Sequence, residues 1–247
     1  MYSDSHCHFN GANEESIKKA RMAGVELALT AGIDMASSAE AVEVAGRHEL
    51  IKACVGIHPW YADEYSAENL ERLRSYARSD AVVAVSEIGL DYISRMTRQW
   101  ERSDEVVEPE IQRAAFREQI GLARELELPV LVHDRARGEE LLDILDDEGI
   151  VNVGVAIHGF SKGPDYARRA VKTGVYLTVG RGILTGENRE LEEAVRQIPM
   201  DWLLTETDSG DPSSVILVAE KIAELKSVNR EDVGSAATRN LKKLLGL

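Results

Sequence analysis

His6 and His8 stand two residues apart in Asp4-Ser5-His6-Cys7-His8. On an extended segment side chains alternate faces, so both imidazoles project to one side and Cys7 to the other. Three more histidines close short apolar runs: Ala53-Cys54-Val55-Gly56-Ile57-His58, Pro129-Val130-Leu131-Val132-His133 and Val153-Gly154-Val155-Ala156-Ile157-His158. Two further runs lead into carboxylates, Val82-Val83-Ala84-Val85-Ser86-Glu87 and Trp202-Leu203-Leu204-Thr205-Glu206-Thr207-Asp208. A lone histidine at a strand end is ordinarily a hydrogen-bonded structural residue. A His-x-His pair joined by His133, His158, Glu87 and Asp208 points instead to a metal site. Imidazole and carboxylate without thiolate suit Zn²⁺, Mn²⁺, Fe²⁺, Co²⁺ or Mg²⁺. Six candidate ligands exceed the three that a catalytic zinc commonly takes from protein. Two divalent ions sharing a bridging carboxylate would use all six, and such a pair can generate hydroxide and steady a leaving oxygen.

These residues need elements that bring strand ends together. Apolar β-rich runs alternate with amphipathic segments along the chain. Strands are predicted at 2–6, 25–31, 51–57, 82–87, 129–133, 153–157, 175–179 and 202–207. Helices are predicted near 13–23, 36–49, 66–79, 109–127, 138–149, 163–173, 187–198 and 213–226, with a last one near 230–245. Eight βα units with no break in composition predict one domain over 1–247, a (β/α)₈ TIM-type barrel with an extra C-terminal helix. A doubly wound open sheet would be expected to carry a glycine-rich phosphate loop after an early strand, and none follows any strand here. In a barrel, polar groups at C-terminal strand ends build the active site. The longest connection, 89–108, carries Arg95, Arg98, Trp100 and Arg102, and a loop of that length is usually functional or mobile.

The chain has 247 residues, 44% hydrophobic and 29% charged, as in a soluble globular protein. No apolar stretch approaches the ~20 residues that span a bilayer. The start, Met1-Tyr2-Ser3-Asp4, shows no signal-peptide pattern. Two cysteines make no disulfide framework, so a cytoplasmic location is expected. A net charge of −14 counts against tight non-specific nucleic-acid binding but leaves room for a local basic site.

Taken in order, Asp4-Ser5-His6-Cys7-His8-Phe9-Asn10, Gly56-Ile57-His58-Pro59, Ser86-Glu87-Ile88-Gly89-Leu90-Asp91-Tyr92, Pro129-Val130-Leu131-Val132-His133-Asp134-Arg135, His158-Gly159-Phe160-Ser161, Glu206-Thr207-Asp208 and Thr238-Arg239-Asn240-Leu241 resemble the TatD family of metal-dependent hydrolases. The resemblance covers essentially the whole chain. It implies an amidohydrolase-type barrel and deoxyribonuclease activity in several members. By motif position it makes His6, His8, Glu87, His133, His158 and Asp208 the metal ligands. Glu87 would bridge two metals, and Asp208 would also orient and deprotonate the attacking water. His58 would lie near the site rather than on the metal. The chain departs from the family at Trp60 (usually His), Ser86 and Lys162 (usually Gly) and Ser209-Gly210, all where substrate would bind.

Seven basic residues fall in the C-terminal loops: Arg95, Arg98, Arg102, Arg135, Arg137, Lys162 and Arg181. Arg135, two residues after His133, suits a substrate phosphate, which its planar fork fits. His58, Lys162 and Glu206 are further substrate-side candidates, and Glu206 alternatively holds a histidine or arginine from behind. Phe9, Trp60, Tyr61, Tyr65, Tyr92, Trp100 and Phe160 fall in the same loops, suited either to stacking on single-stranded bases or to packing the rim. The expected function is a two-metal phosphodiesterase acting on DNA ends or oligonucleotides. The alternatives are hydrolysis of a small amide, ester or lactone, or of an aminoacyl ester on RNA, and a non-enzymatic metal-bound scaffold.

Overall fold

The protein is described from a computed structural model at residues 1–96, 101–103 and 105–247. Arg98 and Trp100 lie outside the described residues. Strands and helices alternate as β1 (Tyr2–Cys7), α1 (Glu14–Met22), β2 (Val25–Ala31), α2 (Met35–Arg47), β3 (Ile51–Val55), α3 (Ala67–Ala77) and β4 (Val82–Asp91). Two short strands, β5 (Arg95–Met96) and β6 (Arg102–Ser103), pair antiparallel in the long connection. Then come α4 (Pro109–Glu125), β7 (Val130–Arg135), α5 (Glu140–Glu148), β8 (Val155–His158), α6 (Pro164–Thr173), β9 (Val175–Val179), α7 (Arg189–Gln197), β10 (Leu203–Thr205), α8 (Val215–Lys226) and α9 (Arg230–Leu245).

The other eight strands form one parallel sheet in the order β1-β2-β3-β4-β7-β8-β9-β10. The sheet curls until its two edges meet, giving a nearly closed barrel. Side chains stitch the seam: the Ser5 hydroxyl donates to the Thr205 carbonyl at 3.0 Å, and the Thr205 hydroxyl donates to the Ser3 carbonyl at 2.9 Å. Asp4 accepts from the Thr207 N–H at 3.0 Å and its hydroxyl at 2.6 Å. Above these, Asp208 N–H donates to His6 O and His8 N–H to Ser209 O, both at 3.0 Å. Burial pushes the Asp4 carboxyl up to about 8, against the pull of its Thr207 bonds.

Helix starts follow local chemistry. Asn13 and Asp34 form capping boxes with Ser16 and Ser37, and Ser66 caps α3. The inner cluster includes Leu27, Leu29, Leu131 and Leu204, and Leu241 and Leu244 of α9 join it. The last helix thus closes the barrel end where the strands begin. Asn240 helps tie it there, donating to the Met200 and Leu203 carbonyls at 2.7 and 2.9 Å.

Two strands differ from the expected boundaries in ways that matter for the site. β4 runs to Asp91 rather than stopping at 87. Glycine makes this possible: Gly89 has φ 141°, and a Cβ there would lie 2.1 Å from the His133 carbonyl oxygen. β10 is shorter than 202–207, because the chain turns off the sheet toward Asp208, which has φ 48°. Aspartate tolerates this left-handed conformation better than bulkier residues.

Candidate metal centre

The ends of β1, β4, β7 and β8, with the turn after β10, deliver six side chains to one floor. The β7–β8 register pairs His133 with His158, and the β4–β7 register pairs Gly89 with His133. Glu87, buried at 4% exposure, stands at the centre. Its two oxygens face different partners. Oε2 lies 3.3 Å from His6 Nε2 and 3.8 Å from His8 Nε2. Oε1 lies 2.8 Å from His158 Nε2, 3.4 Å from His133 Nδ1 and 3.5 Å from His58 Nε2. Asp208 Oδ1 completes the first half, 3.2 Å from His8 Nε2 and 3.8 Å from His6 Nε2.

Hydrogen bonds to the outer ring nitrogens assign the tautomers. His8 Nδ1 lies 3.3 Å from the Ala31 carbonyl, so it carries the proton and Nε2 offers a lone pair. His133 Nε2 donates to Asp91 Oδ2 at 3.0 Å, leaving Nδ1 as the inward donor atom. His158 has no such bond to fix its tautomer, since its Nδ1 lies 3.9 Å from Glu206 Oε2, beyond hydrogen-bond reach, and neither atom has a partner among the described residues. His58 is the reverse case. Its Nδ1 accepts the Trp60 backbone N–H at 3.0 Å, capping the 3₁₀ turn Pro59–Glu64, so its Nε2 carries the proton. A neutral imidazole arranged this way presents a donor inward rather than a metal-binding lone pair.

The floor gathers histidines around one buried carboxylate. His133 Nδ1 and His158 Nε2 lie 3.1 Å apart, both beside Glu87 Oε1, so two imidazole nitrogens and a carboxylate oxygen meet at one point. His6 Nε2 and Glu87 Oε2 are buried without a hydrogen-bond partner among the described residues. Two groups of donor atoms have metal-binding spacing, His6-His8-Glu87 and His58-Glu87-His133. Imidazole with carboxylate is a donor set for a divalent metal, and the unpartnered His6 Nε2 and Glu87 Oε2 are two such atoms at one point. The residues present fit such an ion.

Protons feel the same field. Burial would lower the basicity of His133, yet its hydrogen bonds to Asp91 and Glu87 prevail and raise its pKa to about 9. His8 reaches about 9 against the same desolvation, through Asp208 and Glu87. Burial opposes ionisation of Glu87, but His158, His6 and His58 hold its carboxyl well below the usual range. Desolvation and neighbouring His6 lower His158 to about 4, and desolvation and His133 push His58 well below its ordinary value. Asp208 is held low by the His8 bond despite desolvation, and 48% of its side chain faces solvent.

The substrate-side candidates divide. A cavity of about 350 Å³ opens over the floor, lined in part by Trp60, Arg135 and Asp208. A second cleft, of about 610 Å³, adjoins it, with Arg135 and Asp208 again in its wall and Arg181 beyond. Arg135 and Arg181 are exposed and form no ion pair among the described residues. Lys162 is not brought to the cavity. Its ammonium donates to Asp134 at 3.0 Å and to the Ala136 and Gly138 carbonyls at 3.2 and 3.1 Å, in a network with Tyr166. Glu206 is buried, accepts the Gly159 N–H at 2.7 Å, and lies in the wall of the second cleft 3.9 Å from His158 Nδ1. Arg95 is bound to Asp63. Phe9, Tyr61 and Phe160 are buried in rim packing, which leaves Trp60 as an aromatic wall of the cavity.

Sequence reading assigned no role to Asp91, although a signal existed. The parity that pairs His6 with His8 also puts Glu87 and Asp91 on one face of β4. Asp91 is fully buried, and its carboxyl is held at about 2: burial opposes ionisation, but the His133 bond and the Ile93 and Ser94 N–H groups outweigh it. A carboxylate behind a metal-facing histidine fixes the ring and strengthens its donor atom.

The fold and this floor define a metal-dependent hydrolase of the barrel type. More particularly, the chain belongs to the family described as TatD related DNase, whose model matches residues 3–246. It is 34% identical to the uncharacterized metal-dependent hydrolase YabD of Bacillus subtilis, over 99% of this chain and 98% of that protein. It is 28% identical to human deoxyribonuclease TATDN3, over 98% of this chain and 93% of that protein. The crystal structure of YjjV, a TatD homologue from Escherichia coli, superposes with a TM-score of 0.87 at 26% identity, covering 100% of this chain and 98% of that one. Among the described residues, no helix is long and apolar enough to cross a membrane.

Proposed function

We propose that this protein is a two-metal phosphodiesterase that cleaves DNA at ends or in single-stranded segments. The observation that carries the reading is the division of Glu87: one oxygen faces His6 and His8, the other His133 and His158. His6, His8 and Asp208 would hold one divalent ion, His133 and His158 the other, with Glu87 shared. Zn²⁺, Mn²⁺, Fe²⁺, Co²⁺ and Mg²⁺ are all compatible with this donor set. When bound, the ions supply Lewis acidity toward a phosphoryl oxygen and lower the pKa of water.

The chain's own groups account for the rest. Asp208 is the ligand carboxylate that also reaches solvent, so it is placed to orient a water and take its proton. Arg135 stands where the two cavities meet, and its free guanidinium suits the scissile phosphate. Arg181, in the wall of the second cleft, suits a neighbouring phosphate. His58 offers its Nε2 proton to Glu87 or to a substrate oxygen. Asp91 holds His133 from behind. The deoxyribonuclease name of the human relative supports a nucleic-acid substrate.

The test is cleavage of 3′-labelled single-stranded DNA with Mn²⁺ or Mg²⁺, beside an Asp208→Asn variant. Failure of the wild type, or equal cleavage by the variant, would sink the reading. Hydrolysis of lactone or amide panels in place of DNA would move the chain to the small-substrate alternative. Elemental analysis should find about two ions per chain.

A further inference from the structure

Trp60 lies outside the ligand set, at the position where the resembled family usually has histidine. Its indole Nε1–H donates to Asp91 Oδ2 at 3.0 Å, the same oxygen that accepts His133 Nε2–H at 3.0 Å. The other Asp91 oxygen accepts the Ile93 and Ser94 N–H groups at 3.0 and 3.2 Å. Gln112 clamps the Asp91 backbone from both sides, accepting its N–H and donating to its carbonyl, each at 2.8 Å. Asp91 is therefore held on every side, and the indole supplies one of the two bonds to the oxygen that His133 uses.

We propose that Trp60 is a positioning residue for the His133 half of the metal centre, acting through Asp91. The proposal rests on the two-metal reading. Without the indole N–H, Oδ2 keeps His133 as its single partner. The carboxylate then becomes more basic and freer to rotate, so the His133 ring loses its fixed aim and its Nδ1 points less reliably at Glu87 Oε1. The same residue acts on His58 by a separate route. Its backbone N–H holds the His58 tautomer, and its ring packs 4.1 Å from the His58 ring. One residue thereby sets two neighbouring histidines to opposite roles, His133 with a lone pair inward and His58 with a proton inward. Substituting the side chain removes the first control and leaves the backbone part of the second.

The test uses the full-length chain stripped of metal and titrated with Co²⁺, followed by calorimetry and by visible absorption. Trp60→Phe keeps most of the ring and lacks the N–H; Trp60→His restores a donor. Wild type should bind in two steps. Trp60→Phe should weaken one step by ~10-fold or more and leave the other within ~2-fold, in the range seen when partners behind a ligand are lost. Trp60→His should recover most of the loss. In an Asp91→Asn background Trp60→Phe should cost little more, because both changes act on one bond. Circular dichroism checks that each variant is folded.

Equal binding by Trp60→Phe and wild type, equal weakening of both steps, or fully additive losses with Asp91→Asn would each overturn the assignment. If Trp60→Phe fails to fold, the Trp60→His comparison decides: a folded His variant with wild-type binding supports the role, and one with a weakened step overturns it. A wild-type chain that binds no metal breaks the two-metal reading itself, and Trp60 falls with it.

Discussion

The floor of the barrel mouth and its rim are built from opposite materials. On the floor, buried polar atoms come from strand ends and converge on Glu87: His6 Nε2 and Glu87 Oε2 have no hydrogen-bond partner among the described residues, and His133, His158 and Glu87 Oε1 meet in one cluster. On the rim, cations come from loops, and most of their bonding capacity is settled inside the protein or open to solvent. Lys162 is bound to Asp134 and two carbonyls, and Arg95 to Asp63, whereas Arg135 and Arg181 are exposed and form no ion pair among the described residues. Rigid strand ends fix where charge must be neutralised; loops decide which outside charge is admitted. The chemistry should therefore be robust to changes on the rim, and the substrate should be sensitive to them.

The largest expected effect breaks the floor at its centre. Glu87→Ala removes the one group shared by both halves, so bound metal should fall from about two ions to none and hydrolysis to background; retention of one tightly held ion would show that the halves are independent. Asp208→Asn should lower kcat by about 10²–10⁴-fold with KM little changed, as expected for loss of a general base. Steady-state kinetics with saturating Mn²⁺ checks this, since a pure loss of metal affinity would be rescued by excess ion.

On the rim, Arg135→Ala should raise KM for a labelled oligonucleotide by about 10-fold, the effect of losing a charge-assisted bond to phosphate. Lys162→Met should leave KM within ~2-fold and lower the melting temperature, because its three bonds are internal; a large KM effect would move Lys162 to the substrate side. His58→Gln should keep both ions, contrary to what the spacing of the His58-Glu87-His133 group alone would suggest. Metal analysis of the variant decides between a hydrogen-bond donor and a ligand.

The smallest effect concerns pH. His133 has its folded pKa raised from 6.5 to about 9, so its contribution to the metal-free protein is complete below 6.5 and lost as pH rises through 9. Asp4, raised from 3.8 to about 8, acts in the same direction at lower pH. The metal-free protein should thus lose thermal stability from pH 6.5 to 9. Metal binding needs neutral imidazoles and tightens over the same window. The gap in melting temperature between metal-loaded and metal-free protein should widen with pH, and a constant gap would argue against His133 as a ligand.

Much of the floor could be read from the chain because its rules are local. Alternation along an extended strand puts His6 and His8 together and Cys7 apart, and an apolar run marks each strand that ends in a histidine or carboxylate. Asp91 obeys the same rule but falls outside a strand that ends at 87; Gly89, whose lack of a Cβ lets β4 continue beside His133, is the local cue to the longer strand. Lys162 and Arg135 look alike as loop cations, and nothing near them in the sequence separates them. Only the fold brings Asp134, Ala136 and Gly138 onto the Lys162 ammonium.

By itself, then, the sequence determined the donor types, their strand-end positions and the eight βα units that gather them, because periodicity and residue chemistry act over a few residues. The fold sets which way Glu87 turns each oxygen, which ring nitrogen His8, His58 and His133 turn inward, and which cation is left without an ion pair among the described residues. Those choices depend on hydrogen bonds between segments far apart in the chain, such as Trp60 to Asp91 and Asp91 to His133, and they exist only once the barrel has closed.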